Sequence, residues 1–360
     1  MATAPLNLEA DVVELTRDIC DIESVSGNEK QLADAIETAL KQYSHLEVIR
    51  DGDAIVARTN LGRANRVVIA GHIDTVPVAN NLPVQMLSME REQVLYGRGT
   101  VDMKAGVAVQ LKLAATLAEP ISDVTWIFYD HEEVEATKNG LGRLARNRPE
   151  LLEASFAVLC EPTSAQVEGG CNGTMRVDLT FSGVKAHSAR PWMGKNAIHG
   201  AAKALAILAD YQPAEIDVDG LVYRESLNAV IIGGGIATNV IPDECVITVN
   251  YRFAPSKSAA EAEKHLREVF SGMDLTVVDI AEGARPGLDR AEAKAFVAAT
   301  QTQARPKYGW TDVARFSALG IPAVNFGPGD PSKAHADDEA VPVNQIYACE
   351  KALRAWLTVG

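Results

Sequence analysis

The chain has 360 residues, and a typical domain size of about 150 residues predicts two domains, one of which can interrupt the other. Its composition, with 47% hydrophobic and 23% charged residues, is that of an ordinary globular protein. The 48 acidic and 34 basic side chains leave a formal net charge of −14, which opposes binding to nucleic acid or to an anionic membrane and favours a small molecule or another protein as the partner.

Cysteine usage and hydropathy predict a soluble protein of a reducing compartment. The sequence contains Cys20, Cys160, Cys171, Cys245 and Cys349. They are widely spaced and form no C-x-x-C pair, which indicates neither a disulfide framework nor a thiolate zinc site. No segment has the roughly 18 apolar residues of a membrane span, and residues 1–13 lack the basic and apolar regions of a signal peptide. We therefore expect a cytoplasmic protein.

Helices and strands are predicted to alternate through the first half of the chain. Apolar residues recur at helical spacing over residues 8–20 and 29–43, with turn and cap residues at 26–29. Strands are then predicted at residues 67–70, 124–129 and 156–159, and helices at 105–117 and 140–146. This alternation predicts a mostly parallel sheet with helices on both faces, in which ligands bind at the carboxyl ends of the strands.

The pattern changes after Gly169 and Gly170. Residues 175–181 and 244–253 alternate apolar with polar side chains, as half-exposed antiparallel strands do, and helical segments are predicted at 197–208 and 259–270. A helix signal returns from about residue 291, and residues 321–326 are predicted to form a core strand. We therefore predict an α/β domain over residues 1–173 and 285–360, interrupted by a smaller α+β domain with an antiparallel sheet over residues 174–284.

The inserted domain has few residues for a core of its own. An exposed strand edge or helix face is then expected to be buried against a second copy of the chain. We therefore expect a homodimer.

A histidine and an aspartate follow the predicted strand at residues 67–70. His72 and Asp74 lie at alternate positions and therefore share a face of the strand. A carboxylate beside an imidazole can fix one ring N–H and aim the other nitrogen at a metal ion. An isolated H-x-D is more often a histidine that caps a strand end, so the metal interpretation depends on further ligands.

A glycine-rich turn precedes the helix at residues 105–117. The G-x-G at residues 97–99 invites a dinucleotide-binding interpretation, but Asp102 stands at the position of the third glycine, where a carboxylate would repel a pyrophosphate. We therefore interpret the glycines as a tight turn that delivers Asp102, whose two oxygens could bridge two cations.

Further acids and a histidine complete a candidate metal site. Glu132 and Glu133 follow the strand at residues 124–129, and adjacent acids in a half-buried turn repel one another unless a cation or a proton neutralises them. A solvated charged turn is the alternative. Glu161 follows the strand at residues 156–159, and His335 lies in a loop; either alone would be unremarkable.

In combination, the motifs G-H-x-D-x-V-P, G-R-G-x-x-D-M-K and E-E resemble the M20 family of metallopeptidases and aminoacylases, over essentially the whole chain. The resemblance implies two Zn²⁺ ions per subunit, with Co²⁺ or Mn²⁺ as substitutes. It implies that His72, Asp102 and Glu161 bind one ion and that His335, Asp102 and Glu133 bind the other. It also implies that Asp74 orients His72 and that Glu132 is the general base.

The resemblance also assigns residues of the inserted domain. It places His187 in the active site of the other subunit, where it donates to the oxyanion of the scissile amide. It assigns Asn239, Arg252 and Thr311 to substrate binding, and the fork of donors on Arg252 suits a carboxylate. The alternatives for the first three are an exposed histidine, a turn asparagine and a strand arginine.

Within the family, residues 310–316 and 325–330 are most similar to enzymes that hydrolyse the succinyl amide of N-succinyl-LL-2,6-diaminopimelate in lysine biosynthesis. Those enzymes have two arginines where this chain has Cys171 and Asn172, and His131 stands where many relatives have aspartate. Candidates to replace the arginines are Arg176, Arg190 and Lys195.

Two alternatives remain beside a desuccinylase. The first is another M20 deacylase, acting on acetylornithine or on N-acyl amino acids in general. The second is a metal-binding or peptide-binding module without catalysis. Retention of Glu132 argues against the second, because a binding site needs no proton shuttle.

Overall fold

The computed structural model describes residues 5–89 and 92–359. The chain forms two compact units. The larger unit comprises Met1–Gly169, Pro286–Arg305 and Arg315–Gly360, and the smaller comprises Gly170–Arg285 and Pro306–Ala314.

The helices and strands of the described residues are numbered in chain order. The α-helices are α1 Val12–Cys20, α2 Lys30–Leu40, α3 Lys104–Thr116, α4 Gly140–Asn147, α5 Ala197–Gly200, α6 Ala202–Asp210, α7 Ala259–Val269, α8 Ala291–Thr300, α9 Val313–Ala318 and α10 Val343–Val359. The strands are β1 Glu47–Asp51, β2 Ala54–Arg58, β3 Arg66–His72, β4 Gln85–Met89, β5 Glu92–Tyr96, β6 Asp123–Tyr129, β7 Phe156–Leu159, β8 Glu168–Gly169, β9 Gly173–Ser182, β10 Ala186–His187, β11 Glu215–Val218, β12 Leu221–Arg224, β13 Ser226–Gly234, β14 Val240–Ile241, β15 Glu244–Phe253, β16 Asp274–Ala281, β17 Arg305–Pro306, β18 Ala323–Asn325 and β19 Ala340–Pro342.

The larger unit is built on an eight-stranded sheet with the order β1-β2-β6-β3-β7-β18-β8-β17. Its central strands β6, β3, β7 and β18 are parallel, which confirms the predicted parallel sheet. These strands are buried along almost their whole length, because helices cover both faces. The register places His72 opposite Tyr129 and Ala70 opposite Leu159, so the segments that follow β3, β6 and β7 leave the sheet at the same edge.

Helix α3 lies close to this edge. It packs against β3, α1 and α10, and its alanines, valines and leucines are nearly all buried. Gly106 permits a close approach, since a Cβ atom there would lie 2.3 Å from the carbonyl oxygen of Cys160. The helix is therefore held directly beside the strand end that carries Glu161.

The helices predicted near the N-terminus are present but shorter. Helix α1 begins at Val12 because Asp11 is its N-cap and accepts a hydrogen bond from the backbone N–H of Val13. Helix α2 begins after Glu29, whose carboxylate accepts from the backbone N–H of Gly27 instead of capping the helix. The predicted helices and strands at residues 105–117, 124–129, 140–146 and 156–159 agree with the structure within about two residues.

The smaller unit contains a four-stranded antiparallel sheet with the order β13-β15-β9-β16. Strand β15 alternates buried and half-exposed positions, as its sequence pattern predicts. Helices α5, α6 and α7 contribute to the core that covers one face of the sheet. The single helix predicted over residues 197–208 is divided into α5 and α6, and the division follows Gly200, a residue of low helix propensity.

All five cysteines are buried free thiols. Among the described residues, no helix combines the length and apolar character that crossing a bilayer requires.

Candidate metal centre

The predicted metal ligands come together at the carboxyl edge of the parallel sheet. His72 ends β3, Glu133 lies in the loop after β6, and Glu161 lies just beyond β7. In two groups of three residues, ligand atoms lie within 4.8 Å of one another: His72, Asp102 and Glu161 form one group, and Asp102, Glu133 and His335 form the other. Asp102 belongs to both groups, so its two carboxylate oxygens could be shared between two ions.

The turn that carries Asp102 has the backbone that its glycines predict. Gly99 adopts a left-handed conformation with φ of 79°, and a Cβ atom there would lie 2.9 Å from Cγ2 of Thr75. Asp102 follows this turn directly before α3, and its side chain is 12% exposed. The glycines therefore form a tight turn that presents a carboxylate.

His72 is fully buried and oriented by two contacts. Its Nδ1 lies 3.0 Å from the backbone carbonyl oxygen of Asp74, to which it donates, and its Nε2 faces Asp102 at 3.1 Å. The Asp74 carboxylate lies slightly farther away, at 3.5 Å from Nδ1. Burial by itself lowers the pKa of His72, but the carboxylates of Asp102 and Asp74 raise it well above its usual value.

The Asp74 carboxylate holds the neighbouring loop. It accepts hydrogen bonds from the backbone N–H groups of Glu132 at 3.0 Å and Glu133 at 3.1 Å, and from the hydroxyl of Ser26 at 2.6 Å. Burial tends to raise the pKa of Asp74, but His72 and these donors lower it to about 2. The motif predicted a contact of Asp74 with His72 alone; the role of Ser26 was not predicted.

His335 reaches the centre from the loop before β19. Its Nε2 lies 2.9 Å from Oε2 of Glu133 and 3.4 Å from Oδ2 of Asp102. Hydrogen bonds to Asp102 and Glu133 raise the pKa of His335 to about 10. The pKa of Asp102 is lowered, because both histidines outweigh the opposing effect of burial. The centre therefore strongly favours positive charge.

The backbone of Glu132 is held by Asp74, and the carboxylate of Glu132 belongs to a third group of candidate ligand atoms with His72 and Glu133.

The neighbouring residue His131 belongs to a separate hydrogen-bond network. Nδ1 of His131 lies 2.7 Å from Asp130, and its backbone N–H donates to the buried Glu29. Arg143 in turn donates to both oxygens of Asp130. Glu29, Asp130 and Arg143 were not predicted, because no local motif links them.

Two of the residues assigned to the inserted domain are neighbours in the smaller unit. Strand β10 pairs with β14, which places His187 opposite Val240, and the backbone N–H of Ser188 donates to the carbonyl of Asn239 at 2.9 Å. His187 is exposed, and its Nδ1 accepts from the backbone N–H of Ala189 at 3.1 Å. Nε2 of His187 therefore carries the ring proton and can donate a hydrogen bond.

Arg252 lies on β15 between Ser226 and Thr174 of the adjacent strands. Its side chain is half-buried, and burial lowers its pKa. Within residues 5–89 and 92–359, no hydrogen bond or ion pair engages its guanidinium. Thr311 is buried in the same unit, and its carbonyl accepts a weak hydrogen bond from the Cys171 thiol.

The three candidates to replace the missing arginine pair differ in their surroundings. Arg176 is engaged by Asp279 at 2.9 Å. Arg190 and Lys195 are exposed in the loop that follows His187. Asn172 is buried, and its amide donates to the carbonyl of Arg224. Arg176 is therefore less suited to bind a substrate carboxylate than the other two cations.

The donor set fits divalent transition metals. Imidazole nitrogens and carboxylate oxygens, without thiolates, are ligands that Zn²⁺, Mn²⁺ and Co²⁺ accept. The four acids Asp102, Glu132, Glu133 and Glu161 are buried or half-buried at one edge of the sheet. Such a concentration of carboxylates needs cations to neutralise it.

A model of the peptidase family M20/M25/M40 matches residues 68–358 of the chain. Over 355 residues the chain is 52% identical to a Mycobacterium tuberculosis protein that carries the name DapE. This match covers 98% of the present chain and 99% of the relative. It is 46% identical over 364 residues to a Corynebacterium glutamicum protein named succinyl-diaminopimelate desuccinylase, with 98% of each chain covered. Among solved structures, a tripeptidase of Staphylococcus aureus matches with a TM-score of 0.79 and 20% identity over 99% of each chain. At this identity the match shows a shared fold and no more.

Proposed function

The chain belongs to the peptidase family M20/M25/M40, and we propose that it hydrolyses the succinyl amide of N-succinyl-LL-2,6-diaminopimelate. The products are succinate and LL-2,6-diaminopimelate, an intermediate of lysine biosynthesis. The observation that carries the proposal is the pair of ligand groups that share Asp102, with Glu132 beside them. The substrate follows from the name of the Corynebacterium glutamicum relative. We place the reaction in the cytoplasm, with no nucleic acid or membrane as partner.

We assign two Zn²⁺ ions to the centre, with Co²⁺ or Mn²⁺ as substitutes. His72, Asp102 and Glu161 would hold one ion, and Asp102, Glu133 and His335 would hold the other. When bound, the ions supply a water molecule of lowered pKa and polarise the substrate carbonyl.

Glu132 acts as the general base in this proposal. Its carboxylate accepts a proton from the attacking water, whose oxygen forms a bond to the carbonyl carbon of the amide. The proton then passes from Glu132 to the leaving nitrogen as the carbon–nitrogen bond breaks, so the carboxylate is regenerated. The hydrogen bond from the backbone of Glu132 to Asp74 supports this assignment, since it restrains the base relative to His72.

We propose that His187 donates a hydrogen bond from its Nε2–H to the oxyanion in the active site of a second copy of the chain. The working unit is then a homodimer. The smaller unit offers a surface for it, because β13 is an edge strand on which Val230, Ile231 and Ile232 are 54%, 65% and 52% exposed. Apolar residues exposed along a strand edge are commonly covered by a second copy.

Arg252, Asn239 and Thr311 bind the substrate in this proposal. The unengaged guanidinium of Arg252 is suited to the carboxylate of a succinyl group, whereas an acetyl group would leave it without a partner. A buried donor without a partner costs roughly 1 to 3 kcal/mol, and more when charged, which corresponds to at least about tenfold discrimination.

The test compares kcat/KM for N-succinyl-LL-2,6-diaminopimelate, its N-acetyl analogue and N-acetylornithine with the Zn²⁺-loaded enzyme. We expect the succinyl substrate to be preferred at least about tenfold, and the preference to fall in Arg252→Leu. Arg176→Leu is the matched control, because Arg176 is engaged by Asp279 on the same sheet. Equal kcat/KM for the succinyl and acetyl amides would assign the protein to the general aminoacylases instead.

A further inference from the structure

A buried ion pair lies beside the candidate metal centre, outside its ligand set. Strand β5 pairs with β19 in antiparallel register, with Tyr96 opposite Ala340. Arg98 follows Tyr96 by two residues, and Glu339 directly precedes Ala340. The two residues therefore meet just beyond the paired segment of β5 and β19. Nη1 of Arg98 lies 2.8 Å from Oε2 of Glu339, and the two residues are 3% and 1% exposed.

Each member of the pair holds backbone groups of the metal centre. Oε1 of Glu339 accepts from the backbone N–H groups of Val101 at 2.8 Å and Asp102 at 3.0 Å. Arg98 donates from Nε to the carbonyl of Pro77 at 3.0 Å, and from Nη1 to the carbonyl of Ala336 at 3.1 Å. One ion pair thus links three segments: the chain after β3, the turn that presents Asp102, and the loop that contains His335.

The two groups of metal ligands depend on this pair to different degrees. His72 is the last residue of β3 and pairs with Tyr129, and Glu161 lies two residues beyond the buried strand β7, so the eight-stranded sheet positions both. His335 lies in an irregular loop, has a φ of 65°, and its side chain is 55% exposed. The loop is also held by hydrogen bonds of 3.3 Å from Asn81 and Tyr96 to the carbonyl of Asp337.

A buried ion pair contributes little net stability in general, because desolvation of the two charges offsets their attraction. Positioning is a better physical reason for this pair. Its carboxylate fixes the backbone of the shared ligand, and its guanidinium ties that backbone to the residue after His335.

We propose that Arg98 and Glu339 are positioning residues that determine the affinity of the centre for the ion held by Asp102, Glu133 and His335. The inference rests on the proposed two-metal function. Loss of the pair releases the His335 loop from the Asp102 turn, while the ligands at the ends of β3 and β7 stay in place. The effect is therefore larger for the ion that His335 binds, because Asp102 is the only proposed ligand of the other ion whose backbone the pair holds.

The experiment measures the binding of Zn²⁺, and of Co²⁺ with its absorption spectrum, by titration calorimetry of the chelator-treated enzyme. We call the ion of His72, Asp102 and Glu161 the first ion and the ion of Asp102, Glu133 and His335 the second. In Arg98→Met, Glu339→Gln and the double variant, we expect the affinity for the second ion to fall about 10- to 100-fold. The affinity for the first ion should stay within about threefold of that of the unchanged protein. The double variant avoids the unpaired buried charge that each single change leaves, so it tests the inference if a single variant fails to fold. Arg98→Lys retains the positive charge but not the planar set of donors of the guanidinium, so binding of the second ion should still be weaker.

Arg66→Met is the matched control. Arg66 lies at the opposite end of β3, is half-buried whereas Arg98 is buried, and donates to the carbonyl of Thr59 and the side chain of Asn60. Its removal should lower the melting temperature without changing either metal affinity. Equal weakening of both ions in the double variant, or two ions bound with unchanged affinity, would overturn the positioning role. If the unchanged protein binds only one ion, the two-metal proposal itself fails.

Discussion

The carboxylate of Asp74 accepts a hydrogen bond from the backbone N–H of Glu132 at 3.0 Å, and its second oxygen accepts from Glu133 at 3.1 Å. The aspartate that follows the proposed metal-binding histidine in sequence therefore also holds the loop of the proposed general base. His72 meets Asp74 chiefly through the backbone carbonyl. One buried carboxylate thus couples the position of the proposed base to that of a proposed metal ligand.

Asp74→Asn should lower kcat by about 10- to 100-fold while metal content is retained. Each oxygen of the Asp74 carboxylate accepts from one backbone N–H, and in asparagine an NH₂ group, itself a donor, replaces one of these oxygens. Steady-state kinetics and metal analysis of the same preparation provide the measurement. Ser26→Ala, which removes only one donor to Asp74, is the control and should cost less than about tenfold. Unchanged kcat in Asp74→Asn would contradict the coupling.

Glu132→Gln should retain metal but lose turnover. The amide can occupy the same position, yet it accepts no proton, and a general base commonly contributes about 10²- to 10⁴-fold to the rate. Metal content by mass spectrometry and kcat with the succinyl substrate are measured in parallel. A variant with both ions and near-normal kcat would exclude Glu132 as the base.

Removal of the ligands should separate the two metal sites. His72→Ala should lower the affinity for one ion, and His335→Ala should lower the affinity for the other. Asp102→Ala should lower the affinity for both, because Asp102 belongs to both ligand groups. Chelation should abolish activity, and added Zn²⁺ should restore it. The measurement is the number of ions bound in equilibrium dialysis. Activity that survives chelation would show that the reaction needs no metal.

Metal binding should release protons and strengthen as pH rises. Interactions with Asp102 and Glu133 raise the pKa of His335 to about 10, so at neutral pH its imidazole is protonated before metal binds. A metal ion binds only neutral imidazole, and its affinity is therefore lowest in acid and increases towards pH 10. Calorimetry between pH 6 and 8, in buffers of different ionisation enthalpy, counts the released protons. Affinity independent of pH would contradict the direction of this shift.

Mixing two inactive variants tests whether His187 acts in the partner subunit. A mixed dimer of His187→Ala and Glu132→Gln has one site with both an intact Glu132 and an intact His187, and neither parent dimer has such a site. We therefore expect activity to appear on mixing. Exchange of subunits must first be demonstrated by mass or fluorescence. With exchange established, a mixture no more active than its parents would mean that His187 acts within its own chain or not at all.

Local patterns in the sequence were sufficient to predict that acidic and imidazole side chains lie together after the strands, whereas their assignment as metal ligands came from the family resemblance. A buried run of apolar residues predicts a strand in a parallel sheet, and parallel strands end at a common edge. His72, Glu133 and Glu161 each follow such a run, so their proximity could be inferred from the order of residues alone. The tight turn before Asp102 was equally local, because Gly99 needs a left-handed backbone. The role of His335 came only from family resemblance.

The contacts that hold these ligands in position depend on tertiary structure. Glu339 reaches the backbone of Asp102, and Ser26 reaches the carboxylate of Asp74, across long stretches of chain. Such contacts depend on how loops pack after the sheet has formed, and hydrophobic periodicity carries no information about loop packing. Strand ends and turns are local features, so the amino-acid sequence was enough to place these candidate ligands at one edge of the sheet. The side chains that fix the geometry of those ligands became evident only in the folded chain, because their hydrogen bonds join segments that share no local pattern.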